Sequence, residues 1–127
     1  MKILGHGIDI VSIPRIEALI ARQGEGFTRR AFTDEEFDYC SRQREPAQFF
    51  AARFAAKEAY GKATGLGIGA SGDLAEVGVK RSPAGCPSLE LTGRALEEFR
   101  RMGGNQIQLS LSHDGGFAIA SVILIGD

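Results

Sequence analysis

Two carboxylates stand out as residues that could do chemistry. Asp9 sits in Gly7-Ile8-Asp9-Ile10-Val11, and Glu58 in Phe54-Ala55-Ala56-Lys57-Glu58-Ala59-Tyr60. Aspartate is disfavoured in strands, yet Asp9 interrupts a run of isoleucine and valine; a solvated position on an edge strand is the plain alternative. Two carboxylates distant in sequence and carried on different elements suit a hard cation. Mg²⁺ in particular needs few protein oxygens, because it keeps waters and takes its remaining ligands from substrate phosphates. Arg53, Lys57 and Lys62 surround Glu58 in sequence and could neutralise phosphate charge. Ser112 and His113, beside Gly115 and Gly116, add hydrogen-bond donors where glycine permits close approach. These residue types point to Mg²⁺-dependent chemistry on a diphosphate.

The element that must carry Glu58 runs from about residue 46 to 64. Pro46 suits a first helical position and Gly65 a helix C-terminus. At 100° per residue Ala52, Ala55, Ala56, Ala59 and Ala63 share one side, a smooth face that a backbone or sheet can approach closely. Arg53, Lys57, Glu58 and Lys62 spread over the opposite half, with Phe50 and Phe54 among them. The like-charge Arg53/Lys57 spacing, i,i+4, costs an isolated helix roughly 0.2–0.5 kcal/mol. An anion between the two side chains would explain it. Glu58 and Lys62, also i,i+4, form a favourable pair.

Asp9 needs a strand over residues 3–11, with His6, Ile8 and Ile10 on one face and Gly7, Asp9 and Val11 on the other. Ser12 caps a following helix with Pro14 in its first turn, and Arg15 and Arg22 share its exposed face. These arginines are either solvated or a docking surface for an acidic partner. Thr33-Asp34-Glu35-Glu36 is a capping-box pattern. Residues 64–72 form a glycine-rich loop that lacks the P-loop pattern. A hairpin follows over 74–81 and 87–91, then a helix capped by Thr92, a strand over 106–112 and a strand over 117–125. The pattern is α+β: helices over a mainly antiparallel sheet, one domain across residues 1–127.

Composition narrows the function classes. The 127 residues carry a formal net charge of -1, which gives no global case for nucleic acid. No apolar run is long enough to span a membrane and no signal-peptide pattern opens the chain, so a membrane association is not expected. Cys40 and Cys86 are read as free thiols of a reducing cytoplasm.

The run Phe50-Ala51-Ala52-Arg53-Phe54-Ala55-Ala56-Lys57-Glu58-Ala59-Tyr60-Gly61-Lys62-Ala63 resembles the signature of the 4′-phosphopantetheinyl transferases. Gly7-Ile8-Asp9-Ile10-Val11 and Leu111-Ser112-His113 are similar to that family's two other motifs, and their order and spacing resemble its small bacterial type. The resemblance covers nearly the whole chain. It implies the family's own α+β fold and transfer of 4′-phosphopantetheine from coenzyme A to a serine of apo-acyl carrier protein, releasing 3′,5′-ADP. A carrier of fatty acid biosynthesis is implied, with polyketide assembly the alternative.

Carried over residue by residue, Asp9 and Glu58 match the family's magnesium ligands. Lys62 matches a lysine at the pyrophosphate, and Arg53 and His113 match residues near the nucleotide phosphates. Lys57 and Ser112 join that set of coenzyme-binding residues, and Lys62 and Glu58 the catalytic one. Glu58, directly or through a water, is the candidate base for the serine proton, and His113 the alternative. Arg15 and Arg22 are the carrier-docking candidates. The resemblance also implies a homotrimer with active sites between subunits. Two departures stand out: Cys86 replaces a basic residue before Pro87, and Gly24-Glu25-Gly26 is less basic than in relatives. The competing class, a non-catalytic coenzyme A or nucleotide binding module, leaves Asp9 and Glu58 without a purpose. A purely structural or interaction protein leaves the Arg53/Lys57 pair unexplained as well.

Overall fold

The computed structural model describes residues 1–127. In chain order the elements are β1 (Lys2–Ser12), α1 (Ile13–Gln23), α2 (Glu25–Ala31), α3 (Asp34–Ser41), α4 (Pro46–Thr64), a 3₁₀ turn (Leu74–Glu76), β2 (Val77–Arg81), β3 (Pro87–Leu91), α5 (Gly93–Arg101), β4 (Gly104–Asp114) and β5 (Phe117–Gly126). The main sheet has the order β1-β5-β4, all antiparallel, and β2 and β3 form a separate hairpin. The α+β architecture expected from the sequence is therefore present. β5, the most β-prone segment, lies in the centre, and β1 with Asp9 lies at an edge.

α4 is the axis of the fold. It starts on Pro46 and stops at Gly65, whose left-handed backbone (φ 82°) closes the helix. Ala52, Ala55, Ala56, Ala59 and Ala63 are all buried, as the alanine stripe requires. Their smoothness has a counterpart in β1: a Cβ on Gly7 would overlap the carbonyl oxygen of Ala59, and one on Gly5 that of Ala63. Helix and strand backbones are in direct contact there, and only glycine opposite alanine allows it.

The sheet face towards α4 is closed by Val11, Ala118, Ala120, Val122 and Leu124, all buried. On the other face Ile8, Ile10, Phe117 and Ile119 remain exposed, at 58%, 61%, 47% and 37%. The other side of α4 packs on an aromatic group in which Phe32 meets Phe27 edge-on at 5.7 Å and Phe50 at 4.9 Å. Residues 25–31 form a helix where the sequence suggested no element, and residues 74–76 are a 3₁₀ turn ahead of β2 rather than part of the expected strand over 74–81. Thr92 precedes α5 without capping it by a side-chain hydrogen bond; the Glu76 carboxylate accepts from the Arg94 amide instead.

Candidate functional site

β1 and α4 bring the two carboxylates together. The alternation of β1 turns Asp9 towards α4, on the face that carries Gly7 and Val11. Asp9 and Glu58 line one cavity of about 320 Å³, together with Arg15, Ile16, Leu19 and Phe54. Asp9 is only 15% exposed, so it is not the solvated aspartate of the plain alternative. Lys62 Nζ donates to Asp9 Oδ1 at 2.9 Å and to the Ile8 carbonyl at 3.1 Å. The ion pair of Lys62 is thus with Asp9 across the helix–strand seam, rather than with Glu58 along the helix.

Glu58 holds its proton more tightly than an ordinary carboxyl. Partial burial is the main cause, the negative charge of Asp9 adds to it, and Lys62 opposes it. A carboxylate pair whose members repel one another is a place where a cation gains. No group of three or more His, Cys, Asp or Glu side chains converges anywhere in the chain. Two hard oxygen donors with room for water and phosphate fit Mg²⁺, and they fit poorly a metal that needs a full protein cage.

Lys57, next to Glu58 in sequence, has a different position. It is completely buried, and its Nζ donates to Glu36 Oε1 at 2.7 Å, to the Val77 carbonyl at 2.8 Å and to the Leu74 carbonyl at 3.1 Å. An ammonium has three donors, and all are taken within the chain. The expectation that Lys57 binds a coenzyme phosphate is therefore corrected: its anion is the Glu36 carboxylate. Arg53 is also buried. One guanidinium nitrogen donates to the Phe49 carbonyl at 3.3 Å, the group stacks 4.7 Å from the Tyr39 ring, and its Nε has no partner. Arg81 approaches the same ring at 5.1 Å. Arg53, Tyr39, Arg42 and Arg81 line a second cavity of about 420 Å³, on another side of α4 from Glu58.

Ser112 and His113 do not join the Asp9–Glu58 cavity within one chain. They lie on β4, which β5 separates from β1 by about 10 Å, two strand spacings. Their partners on β5 are Ile119 and Ala118, so strand alternation puts Ser112 on the exposed apolar face and His113 on the helix side. His113 lines a third cavity, of about 560 Å³, with Arg44 and Gln48 around the start of α4 and Glu17 of α1. Arg15 belongs to the carboxylate cavity, whereas Arg22 is exposed in the last turn of α1. The glycine-rich loop is tied to the end of α4 and to itself: Gly67 N donates to Gly61 O, Gly69 N to Gly72 O and Ser71 N to Gly67 O. Those amides are not free for phosphate.

Sequence reasoning missed Glu36, Tyr39, Arg44 and Arg81. Glu36 was visible only as the last residue of a capping box, which it does close with Thr33 at 2.8 and 3.1 Å. Nothing local marked it as the partner of a lysine 21 residues away.

A sequence model of the 4′-phosphopantetheinyl transferase superfamily matches residues 5–121. The holo-[acyl-carrier-protein] synthase of Trichlorobacter lovleyi is 43% identical over 96% of this chain and 97% of its own length. That of Syntrophus aciditrophicus is 41% identical over 96% and 95%. Among solved structures, holo-[acyl-carrier-protein] synthase from Neisseria meningitidis superposes with a TM-score of 0.89 at 33% identity, covering 98% of this chain and 99% of that one. The Helicobacter pylori enzyme in complex with coenzyme A gives a TM-score of 0.84 at 34% identity, covering 94% and 99%. With sequence and fold in agreement, the chain belongs to the 4′-phosphopantetheinyl transferase superfamily, among its holo-[acyl-carrier-protein] synthases.

Proposed function

We propose that this chain transfers the 4′-phosphopantetheine group from coenzyme A to a serine of apo-acyl carrier protein. The observation that carries the reading is the meeting of Asp9 and Glu58 in one cavity with the Lys62 ammonium at their side. Asp9 and Glu58 are the residues that hold Mg²⁺, which supplies neutralisation of pyrophosphate charge when bound. Glu58, directly or through a water, accepts the serine proton. The serine oxygen forms a bond to the β-phosphorus, the bond from that phosphorus to the bridging oxygen breaks, and 3′,5′-ADP leaves. Lys62 stabilises charge on the leaving phosphate, and Arg53 and His113 serve the nucleotide end.

Arg15 and Arg22 face the acidic carrier, Arg15 close to the acceptor serine. The chain acts as a homotrimer: its exposed Ile8, Ile10, Phe117 and Ile119 face is covered by neighbouring copies, and Ser112 on that face then meets another subunit's site. Both the carrier of fatty acid biosynthesis and a cytoplasmic location belong to this reading. No helix is long and apolar enough to cross a membrane.

The test is direct. Incubation with coenzyme A, Mg²⁺ and apo-carrier should add the phosphopantetheine mass to the carrier. Asp9→Asn and Glu58→Gln should each lose about 10²-fold or more in kcat while remaining folded. Near wild-type turnover by both variants in EDTA would sink the reading.

A further inference from the structure

The buried pair Lys57–Glu36 has no part in the reaction as written, yet it ties together four elements around the site. Glu36 Oε1 accepts from the Thr33 amide and from Lys57, and Glu36 Oε2 accepts from the Val79 amide at 2.8 Å. Lys57 in turn holds the carbonyls of Leu74 and Val77. One carboxylate and one ammonium thus join α3, α4, the 3₁₀ turn and β2, and neither is more than 1% exposed. Five hydrogen bonds satisfy the pair, which is what a buried ion pair needs to offset its desolvation.

Its position along α4 matters. Lys57 anchors one side of the helix, and the backbone contacts of Ala59 and Ala63 with Gly7 and Gly5 anchor another. Glu58 follows Lys57 by 100° of helical rotation, and that step places it in the cavity with Asp9. A helix free to roll by a fraction of that angle would move the Glu58 carboxylate by ångströms. The two anchors remove that freedom.

We propose that Lys57, held by Glu36, is a positioning residue: it fixes the rotation of α4 that presents Glu58 to Asp9, and it makes no contact with the phosphates of coenzyme A. The proposal rests on the reading of Asp9 and Glu58 as cation ligands. It differs from a role in stability alone, because it predicts a specific loss in metal affinity. It differs equally from a phosphate-binding role, which predicts a loss in coenzyme affinity without metal.

Lys57→Met keeps the aliphatic stem and removes the ammonium. Glu36→Asp keeps both charges and shortens the tether by one methylene, so it serves where Lys57→Met fails to fold. In each folded variant the calorimetric Kd for Mg²⁺, measured with saturating 3′,5′-ADP, should rise about tenfold, the scale on which groups behind metal ligands act. The Kd for coenzyme A in EDTA should stay within about twofold of wild type, since no phosphate contact is lost.

A wild-type measurement runs beside these. A buried, hydrogen-bonded ammonium gives an observable ¹⁵N–¹H signal, and that of Lys57 should stay in place on addition of 3′,5′-ADP and Mg²⁺. Unchanged Mg²⁺ affinity in a folded variant would overturn the positioning role. A tenfold loss of coenzyme A affinity in EDTA, or a moving Lys57 signal, would overturn the absence of phosphate contact. Transfer to the carrier by the wild-type protein is scored separately. Its failure would remove the reading of the site itself, whatever the Lys57 signal does.

Discussion

The ammonium of Lys62 lies 2.9 Å from the Asp9 carboxylate, on a different element, and makes no ion pair with Glu58, the carboxylate one helical turn before it. The Ile8 carbonyl accepts from the same nitrogen, so the lysine is aimed at β1 by two acceptors. This geometry shares a single positive charge between two roles. It neutralises Asp9, and it lowers the proton affinity of Glu58 from a distance.

Lys62→Met should separate those roles. Asp9 loses its partner and Glu58 loses the charge that opposes its raised pKa. With the leaving phosphate also less stabilised, kcat should fall about 10²-fold. The acid limb of the kcat profile should move to higher pH, because Glu58 then keeps its proton further up the scale. A fall in rate with an unmoved limb would show that Lys62 does not tune Glu58.

Glu58 should also leave a mark on stability in the absence of metal. Its folded pKa is raised above the ordinary 4.5, so between those values the folded chain binds the proton more tightly than the unfolded chain. This group's contribution is full below the ordinary value and is lost as pH rises through the raised one. Other carboxylates, among them Glu76 with its lowered pKa, act in the opposite direction and mask the trend in wild type. The difference between Glu58→Gln and wild type isolates it. The Tm advantage of the variant in EDTA should grow as pH rises above the ordinary 4.5, and a constant difference would remove the raised proton affinity of Glu58, from burial and from Asp9, from the account.

How much of this was legible in sequence follows from what is local. Pro46, Gly65 and the alanine stripe define α4 without help from the rest of the chain, and Asp9 between two isoleucines announces itself. The fate of Lys57 was not legible. Its i,i+4 spacing from Arg53 suggested an anion between the two side chains, but the anion, Glu36, is brought in by the packing of α3 and pairs with Lys57 alone, while Arg53 makes no ion pair. Adjacent residues on a helix differ by 100°, so Lys57 and Glu58 could be assigned to core and cavity only once the neighbours of α4 were known. The helix over residues 25–31 escaped notice because Gly24 and Gly26 weaken a seven-residue segment that is held by burial of Phe27, Thr28 and Ala31. Ser112 and His113 look like one motif, yet strand alternation sends them to opposite faces.

The carrier surface can now be graded. Arg15 lines the cavity that holds the carboxylates, while Arg22 lies two turns further along α1. Arg15→Glu should raise KM for carrier protein about tenfold, and Arg22→Glu about threefold, since charges at a rim act chiefly on association. Coenzyme A affinity should be unaffected in the Arg22 variant. The effect of both should shrink at high ionic strength. Equal KM values for wild type and the double variant would take α1 out of the docking surface.

The exposed face of the main sheet gives the last prediction. Ile8, Ile10, Phe117 and Ile119 stand out from β1 and β5 on the side away from α4, where no element of the chain covers them. Apolar side chains gathered on one face of so small a domain are unusual unless another molecule buries them. In the proposed homotrimer Ser112, opposite Ile119, lies within the covered area. Ile119→Asp introduces a charge that such an interface must desolvate, at a position 37% exposed in the single chain, where the aspartate can still reach water. The variant should run as a monomer by light scattering, with its circular dichroism unchanged, and should transfer phosphopantetheine at least 10²-fold more slowly. Mixing provides the stricter measurement. Glu58→Gln and His113→Ala damage different cavities of one chain, but in a trimer with sites between subunits one site can receive intact residues from both parents. Activity that reappears on mixing and refolding the two inactive variants is the expected outcome. An active Ile119→Asp monomer, or no recovery in the mixture, would show that one chain carries the whole site.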